Sequence, residues 1–254
     1  MILDQFRLNG RVALVTGAAQ GLGQGYAVAL AEAGADIAAL DLLDVAETGK
    51  AIAALGRRFM PIKCNLREAS VDDLNQVVGD VVARWGRLDI LVNNAGIIRR
   101  APAIEFSEKD WDDVLQINLK ALFFLSQAVA RVMVKQGGGK IVNVASMLSF
   151  QGGVIVPSYT AAKSGVAGVT RALANEWAKH KINVNAIAPG YMATANTAAL
   201  RADPARNQAI LDRIPAGRWG TPDDLKGIVV FLVSAASDYL NGAIVPVDGG
   251  WLAR

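Results

Sequence analysis

One cysteine, Cys64, and one histidine, His180, are all that this chain of 254 residues holds of either type. A lone thiol excludes an intrachain disulfide and fits a reducing compartment, with Cys64 read as a small buried residue. One His and one Cys cannot build a zinc site of His and Cys ligands, so no metal is expected. A Ser-His-Asp hydrolase would need His180 as its base, and that residue sits in the polar stretch 178–182, which reads as a half-exposed helix end.

Long apolar runs and clustered charge are also scarce. The longest apolar run, near residues 228–233, is far short of a bilayer span, and residues 1–11 lack the apolar stretch of a secretion signal. A cytoplasmic chain with no membrane partner is the expectation. The net charge of +3 arises from 26 basic and 23 acidic residues, and the densest pairs are Arg57-Arg58 and Arg99-Arg100. No basic stripe emerges, so no nucleic-acid partner is expected either. With 52% apolar and 19% charged residues and no low-complexity tract, the whole chain is expected to fold.

Seven short apolar runs, at 11–16, 36–40, 59–64, 88–92, 140–145, 182–188 and 242–247, alternate with segments of helical length. Each run is nearly continuous in apolar residues, as strands covered on both faces should be. Capping-box spacing at Ser70 with Asp73, Ser107 with Asp110 and Thr221 with Asp224 marks helix starts between them. The expected fold is therefore α/β: a single-domain Rossmann fold over 1–254, with a doubly wound, seven-stranded parallel sheet and helices on both faces. Ligands of such a sheet bind beyond the carboxyl ends of the strands. The least regular stretch, 191–220, with a helix-like 204–213, is expected to form a lid over the site.

After the first strand the chain reads Thr16-Gly17-Ala18-Ala19-Gln20-Gly21-Leu22-Gly23 and enters an alanine-rich helix. Glycines allow a sharp turn and close approach to a pyrophosphate, and the helix start offers free N–H groups. The glycine spacing differs from the G-x-G-x-x-G dinucleotide fingerprint. Asp41, at the end of the second strand, stands where an acidic residue bonds the adenosine ribose and repels a 2′-phosphate. Gln20 replaces the Lys or Arg that would clamp that phosphate, so NAD is expected over NADP.

Several further motifs follow in order: Asn93-Asn94-Ala95-Gly96, Asn118, Ser146, Tyr159-Thr160-Ala161-Ala162-Lys163, and Pro189-Gly190 with Thr194. Together with the turn they identify the chain as similar to the short-chain dehydrogenase/reductase family over essentially its full length. The resemblance implies Tyr159 as acid/base, Lys163 four residues on to lower its proton affinity, Ser146 to hold the reacting oxygen, and Asn118 to support a proton-feeding water chain. A phenol with pKa about 10 needs roughly 4 kcal/mol of preferential phenolate stabilisation to work near neutrality, and a cation about 5 Å away contributes about 3 kcal/mol. Burial opposes this.

For the cofactor the resemblance implies Gly17, Gln20, Gly21, Leu22 and Gly23 at the pyrophosphate, and Asp41, Asn65, Leu66, Asn94, Ala95 and Gly96 around the adenosine. Pro189, Gly190, Met192 and Thr194 would lie at the carboxamide, with Tyr159 and Lys163 at the nicotinamide ribose. Asn65 departs from the Asp that many members carry. The segments 94–100, 145–153, 213–220 and 247–254 resemble a sugar-acid subgroup, the 2-deoxy-D-gluconate 3-dehydrogenases, also called 2-dehydro-3-deoxy-D-gluconate 5-dehydrogenases, which serve pectin and uronate breakdown. A sugar-acid substrate needs a cation for its carboxylate, and Arg100 or Arg99, Gln151, Tyr191 and Arg218 are candidates beside Ser146. Gluconate 5-dehydrogenase, 3-oxoacyl carrier-protein reductase and a non-enzymatic nicotinamide sensor remain as alternatives. The family's habit implies a homotetramer.

Overall fold

The structure, a computed structural model, describes residues 1–254. The strands are β1 (Val12–Thr16), β2 (Asp36–Asp41), β3 (Phe59–Lys63), β4 (Ile90–Asn93), β5 (Gly139–Val144), β6 (Ile182–Pro189) and β7 (Ile244–Val247). They form one sheet in the order β3-β2-β1-β4-β5-β6-β7, every neighbouring pair parallel. The helices are α1 (Gly21–Glu32), α2 (Ala46–Ala54), α3 (Val71–Trp85), α4 (Glu108–Leu115), α5 (Leu122–Gln136), α6 (Pro157–Trp177), α7 (Ala198–Ala202), α8 (Pro204–Leu211) and α9 (Lys226–Val233).

Why the strands read as unbroken apolar runs is visible in β1, whose five residues are all buried. Its side chains alternate between faces. Ala13 and Val15 join a core with Tyr26 and Leu30 of α1 and Val229 and Leu232 of α9. Val12 and Leu14 join the opposite core with Leu74 and Val81 of α3 and Leu125 and Met133 of α5. At the two sheet edges the pattern breaks: β3 is only partly buried and β7 carries an exposed Pro246, a residue that an edge tolerates because no ladder donor is needed there.

The chain begins in the middle of the sheet, walks out through β2 to β3, then returns to β4 on the other side of β1. The carboxyl ends of β1 and β4 therefore open a crevice between diverging connections. Ser70 and Ser107 accept from the third backbone N–H of α3 and α4 as their spacing predicts. Between α4 and α5 the helix does not stop. Residues Gln116–Ala121 continue it as π-helix, a widened turn that sequence periodicity does not reveal. The resulting helix Glu108–Gln136 is long and apolar enough to cross a membrane by length and composition, with half of its most apolar stretch buried inside the protein.

Residues 191–220 leave β6, make a short turn at Ala195–Thr197, run through α7 and α8, and return. Both ends are tied together: Met192 bridges Gly220, the Ala193 N–H donates to the Gly220 carbonyl at 2.7 Å, and the Gly220 N–H donates to the Tyr191 carbonyl at 2.9 Å.

Candidate active site

The turn after β1 is held by side chains rather than by glycine alone. Gly17 and Gly21 have φ of +66° and +59°, where a side chain is strained. At Gly23 a Cβ would lie 1.9 Å from the Gly17 carbonyl oxygen and 2.5 Å from Asn94 Nδ2, so helix and turn touch through that glycine. Asn94 Nδ2 donates to the carbonyls of Thr16 and Gly17 at 2.9 and 3.1 Å, while Thr16 Oγ1 accepts from the N–H groups of Asn94 and Ala95, both at 3.0 Å. Thr48 Oγ1 donates to the Ala18 carbonyl at 2.7 Å. No side chain caps α1, so its first N–H groups face the crevice unspent.

These features border a cavity of about 590 Å³. Of the residues expected at the dinucleotide, the whole set from Gly17 to Gly23, Asp41, Asn65, Leu66, Asn94, Ala95, Gly96, Tyr159, Lys163 and Thr194 line it. A glycine-rich cradle, an uncapped helix start and a cavity that also reaches a Tyr–Lys pair fit a dinucleotide, whose nicotinamide supplies or accepts a hydride when bound. Pro189, Gly190 and Met192 do not line the cavity. Gly190 lies against Asp248, where a Cβ would fall 2.5 Å from the Asp248 Cα, and Met192 is buried against Gly220. Met192 borders a separate, smaller cavity instead.

Ser146 follows β5, and Tyr159 and Lys163 lie one turn apart on α6. Lys163 is 3% exposed, donates to the Val144 carbonyl at 2.6 Å, and its Nζ stands 5.6 Å from the centre of the Tyr159 ring. Burial pulls the Lys163 pKa down to about 8. Tyr159 is half-buried, and its pKa is raised by burial, against the pull of the Ser146 hydroxyl and the Arg100 guanidinium. Burial, rather than a neighbouring charge, sets the direction of the Tyr159 shift, and the Lys163 ammonium is directed at the Val144 carbonyl. Asn118, in the π-helical turn, is buried, and its amide grips the backbone of Ile97 from both sides, with the Ile97 N–H donating to Oδ1 and Nδ2 donating to the Ile97 carbonyl, each at 2.9 Å.

The substrate candidates separate. Arg99 pairs with Asp110 at 3.1 Å, whereas Arg100 has no ion-pair partner and lines the cavity beside Tyr159. Arg218 is held by Asp224 through contacts of 2.7 and 2.8 Å, in a pair that draws the Asp224 carboxyl well below its usual range. Tyr191 and Arg218 border a separate cavity of about 160 Å³, and Gln151 accepts from Arg213 and Trp251. The structure therefore brings Arg100 to the main cleft and leaves Gln151, Tyr191 and Arg218 outside it.

Some participants escape a reading of the sequence. Ala195, Asn196 and Thr197 line the cleft, and no residue pattern distinguishes them from a surface turn. Asn93, the first residue of the Asn93–Gly96 motif, points into the core, donating to Ser126 Oγ and Asn143 Oδ1 at 2.9 Å each. Asn143 continues the network to Thr170 at 3.0 Å, pinning β4 and β5 to α5 and α6 beneath the site. Cys64 is half-buried on the cleft wall rather than in the core, and burial raises its thiol pKa.

A family model described as enoyl-(acyl carrier protein) reductase matches residues 17–252. The chain belongs to the short-chain dehydrogenase/reductase family. Over the full length of both chains it is 62% identical, across 255 residues, to a 2-dehydro-3-deoxy-D-gluconate 5-dehydrogenase of Escherichia coli K12. A crystal structure from Agrobacterium tumefaciens, described as a 2-deoxy-D-gluconate 3-dehydrogenase with bound NADP, is 57% identical with a TM-score of 0.92, covering 98% of this chain and 99% of that one. A gluconate 5-dehydrogenase of Burkholderia cenocepacia in complex with NADP and tartrate is 39% identical with a TM-score of 0.95, covering 100% of both chains.

Bound NADP in those relatives overturns the expectation that Asp41 selects NAD. The physical reason lies in the carboxylate's partners. Asp41 Oδ2 accepts from the Ala19 N–H at 2.8 Å and Oδ1 from the Leu43 N–H at 3.0 Å, so both oxygens are turned into the backbone and their charge is partly compensated. An acidic residue at this strand end is here a brace for the turn, not a bare repulsive charge.

Proposed function

We propose that the protein is an NADP(H)-linked oxidoreductase that interconverts a secondary hydroxyl and a ketone on a sugar acid, 2-dehydro-3-deoxy-D-gluconate or 2-deoxy-D-gluconate being the substrates its relatives' names suggest. The observation that carries this reading is one continuous cavity with a glycine cradle at one end and Tyr159, Lys163 and an unpaired Arg100 at the other. In the reductive direction Tyr159 hands its phenolic proton to the carbonyl oxygen, which Ser146 holds in place, and Lys163 stabilises the phenolate left behind. Asn118 positions the Ile97 backbone beside them. Arg100 takes the substrate carboxylate, since a free guanidinium in a cleft otherwise short of cations is the natural partner of an acid.

The lid assignment for 191–220 and a cytoplasmic setting, read from the chain's irregular stretch and its lack of an apolar start or a disulfide, belong to the same proposal, as do a homotetramer and a place in pectin breakdown, which rest on the resemblance. Absorbance at the reduced-nicotinamide band, followed with a panel of keto sugar acids, simple ketones and acyl thioesters, tests it. Turnover with the sugar acids and NADPH is the expected result; turnover confined to thioesters would refute the substrate assignment.

A further inference from the structure

The cleft wall at 194–197 and the turn carrying Ser146 come from distant parts of the chain, and one small cluster joins them. Gln151 closes the turn after β5. Its Oε1 accepts from Arg213 Nη2 at 3.4 Å and from Trp251 Nε1 at 3.3 Å. Both partners can only donate, so it must be the amide oxygen that faces them. The Arg213 guanidinium lies over the Trp251 ring, 4.0 Å from its centre, and the indole is 5% exposed. Trp251 also packs with Met147, next to Ser146, and with Ile210 and Ile214 beyond the cleft wall. From the far side Arg254 Nη2 donates to the Asp212 carbonyl at 2.6 Å, so the end of the chain grips the same segment.

We infer that Gln151 is a positioning residue whose side-chain oxygen, shared by Arg213 and Trp251, fastens the excursion 193–219 to the Ser146 turn and sets how far the cleft closes over its substrate. The base of the excursion is already tied at Met192 and Gly220, so it moves as a flap about that tie. On the returning limb the Ala216 N–H also donates to the Gly249 carbonyl at 3.0 Å, and the contact of Gln151 with Arg213 falls just beyond that tie, toward α8. With its oxygen shared by two donors, Gln151 could meet a substrate only through its amide N–H groups, and it does not line the main cavity.

Gln151→Leu removes the acceptor and keeps the volume; Gln151→Glu keeps an acceptor for both partners and adds charge opposite Arg213. The kinetic comparison rests on the proposed sugar-acid activity; a second readout, tryptic cleavage after Arg201 and Arg206 within the flap, stands without it. For Gln151→Leu the expected outcome is a KM for the keto sugar acid raised about tenfold with kcat changed by less than about threefold, and faster cleavage of the flap. Gln151→Glu should recover most of both. Arg213→Met, which severs the latch from the other side, should repeat the Gln151→Leu pattern even if that variant folds poorly. If Gln151→Glu proves as impaired as Gln151→Leu, or if Gln151→Leu and Arg213→Met leave cleavage at the wild-type rate, the inference is overturned.

Discussion

Replacing Lys163 with Met should make the protein more stable near neutrality in a way that fades as the pH rises. Lys163 has a pKa of about 8 in the folded chain, against an ordinary value of 10.5, because burial penalises its charge. The folded state therefore binds fewer protons at this site than the unfolded state, and folding carries a penalty wherever the unfolded lysine is charged. With a folded value of about 8 against 10.5, the penalty is about 3 kcal/mol at about pH 7 and falls to about half of that at about pH 9.5. Methionine fills the same space without charge and removes that penalty, but it orphans the Val144 carbonyl, which costs about 2 kcal/mol at either pH. The absolute change is thus small; its pH dependence is not. Urea unfolding of both proteins across that range should show the Met variant losing about 2 kcal/mol of its relative advantage toward alkaline pH. A difference that stays flat or grows with pH would refute the claim that Lys163 is buried at the expense of its charge.

Gly23→Ala should lose measurable NADPH binding, read by fluorescence titration, and about 2 kcal/mol of stability, because its Cβ would stand 1.9 Å from the Gly17 carbonyl oxygen. Arg100→Ala should raise the KM for a sugar acid about tenfold while leaving that for its uncharged analogue nearly unchanged; equal effects would count against carboxylate binding there. Since burial holds the Tyr159 proton on, ketone reduction should persist at neutral pH, and alcohol oxidation should climb as alkaline pH removes that proton. An oxidation rate independent of pH between about 6 and 10 would show that another group supplies the base.

What could be read directly from the residues follows from local rules. A buried parallel strand must be apolar on both faces, so seven runs yielded seven strands. A Gly-rich turn between strand and helix marks its own position, and Tyr159 and Lys163 at a spacing of four must share a helix face. Where that reading stopped, the deciding contacts depend on how the backbone turns and which side chains it brings together. Asp41 looked like a cofactor selector because nothing in its neighbourhood announces that Ala19 and Leu43 claim its oxygens. Arg99 and Arg100 are equivalent in sequence, and only the pairing of Arg99 with Asp110 separates them. Gln151, Tyr191 and Arg218 were grouped by chemical type, whereas packing divides them between a latch, an aromatic cluster and an ion pair. The π-helical turn under Asn118 leaves the residue order of an ordinary helix unchanged.

The most direct test of the account compares the wild type with Tyr159→Phe in the oxidation of NADPH by a keto sugar acid. The account predicts a fall in kcat of about a thousandfold, with NADPH affinity within about threefold of wild type, since the variant removes only the phenolic oxygen. Comparable turnover by the two proteins would contradict it.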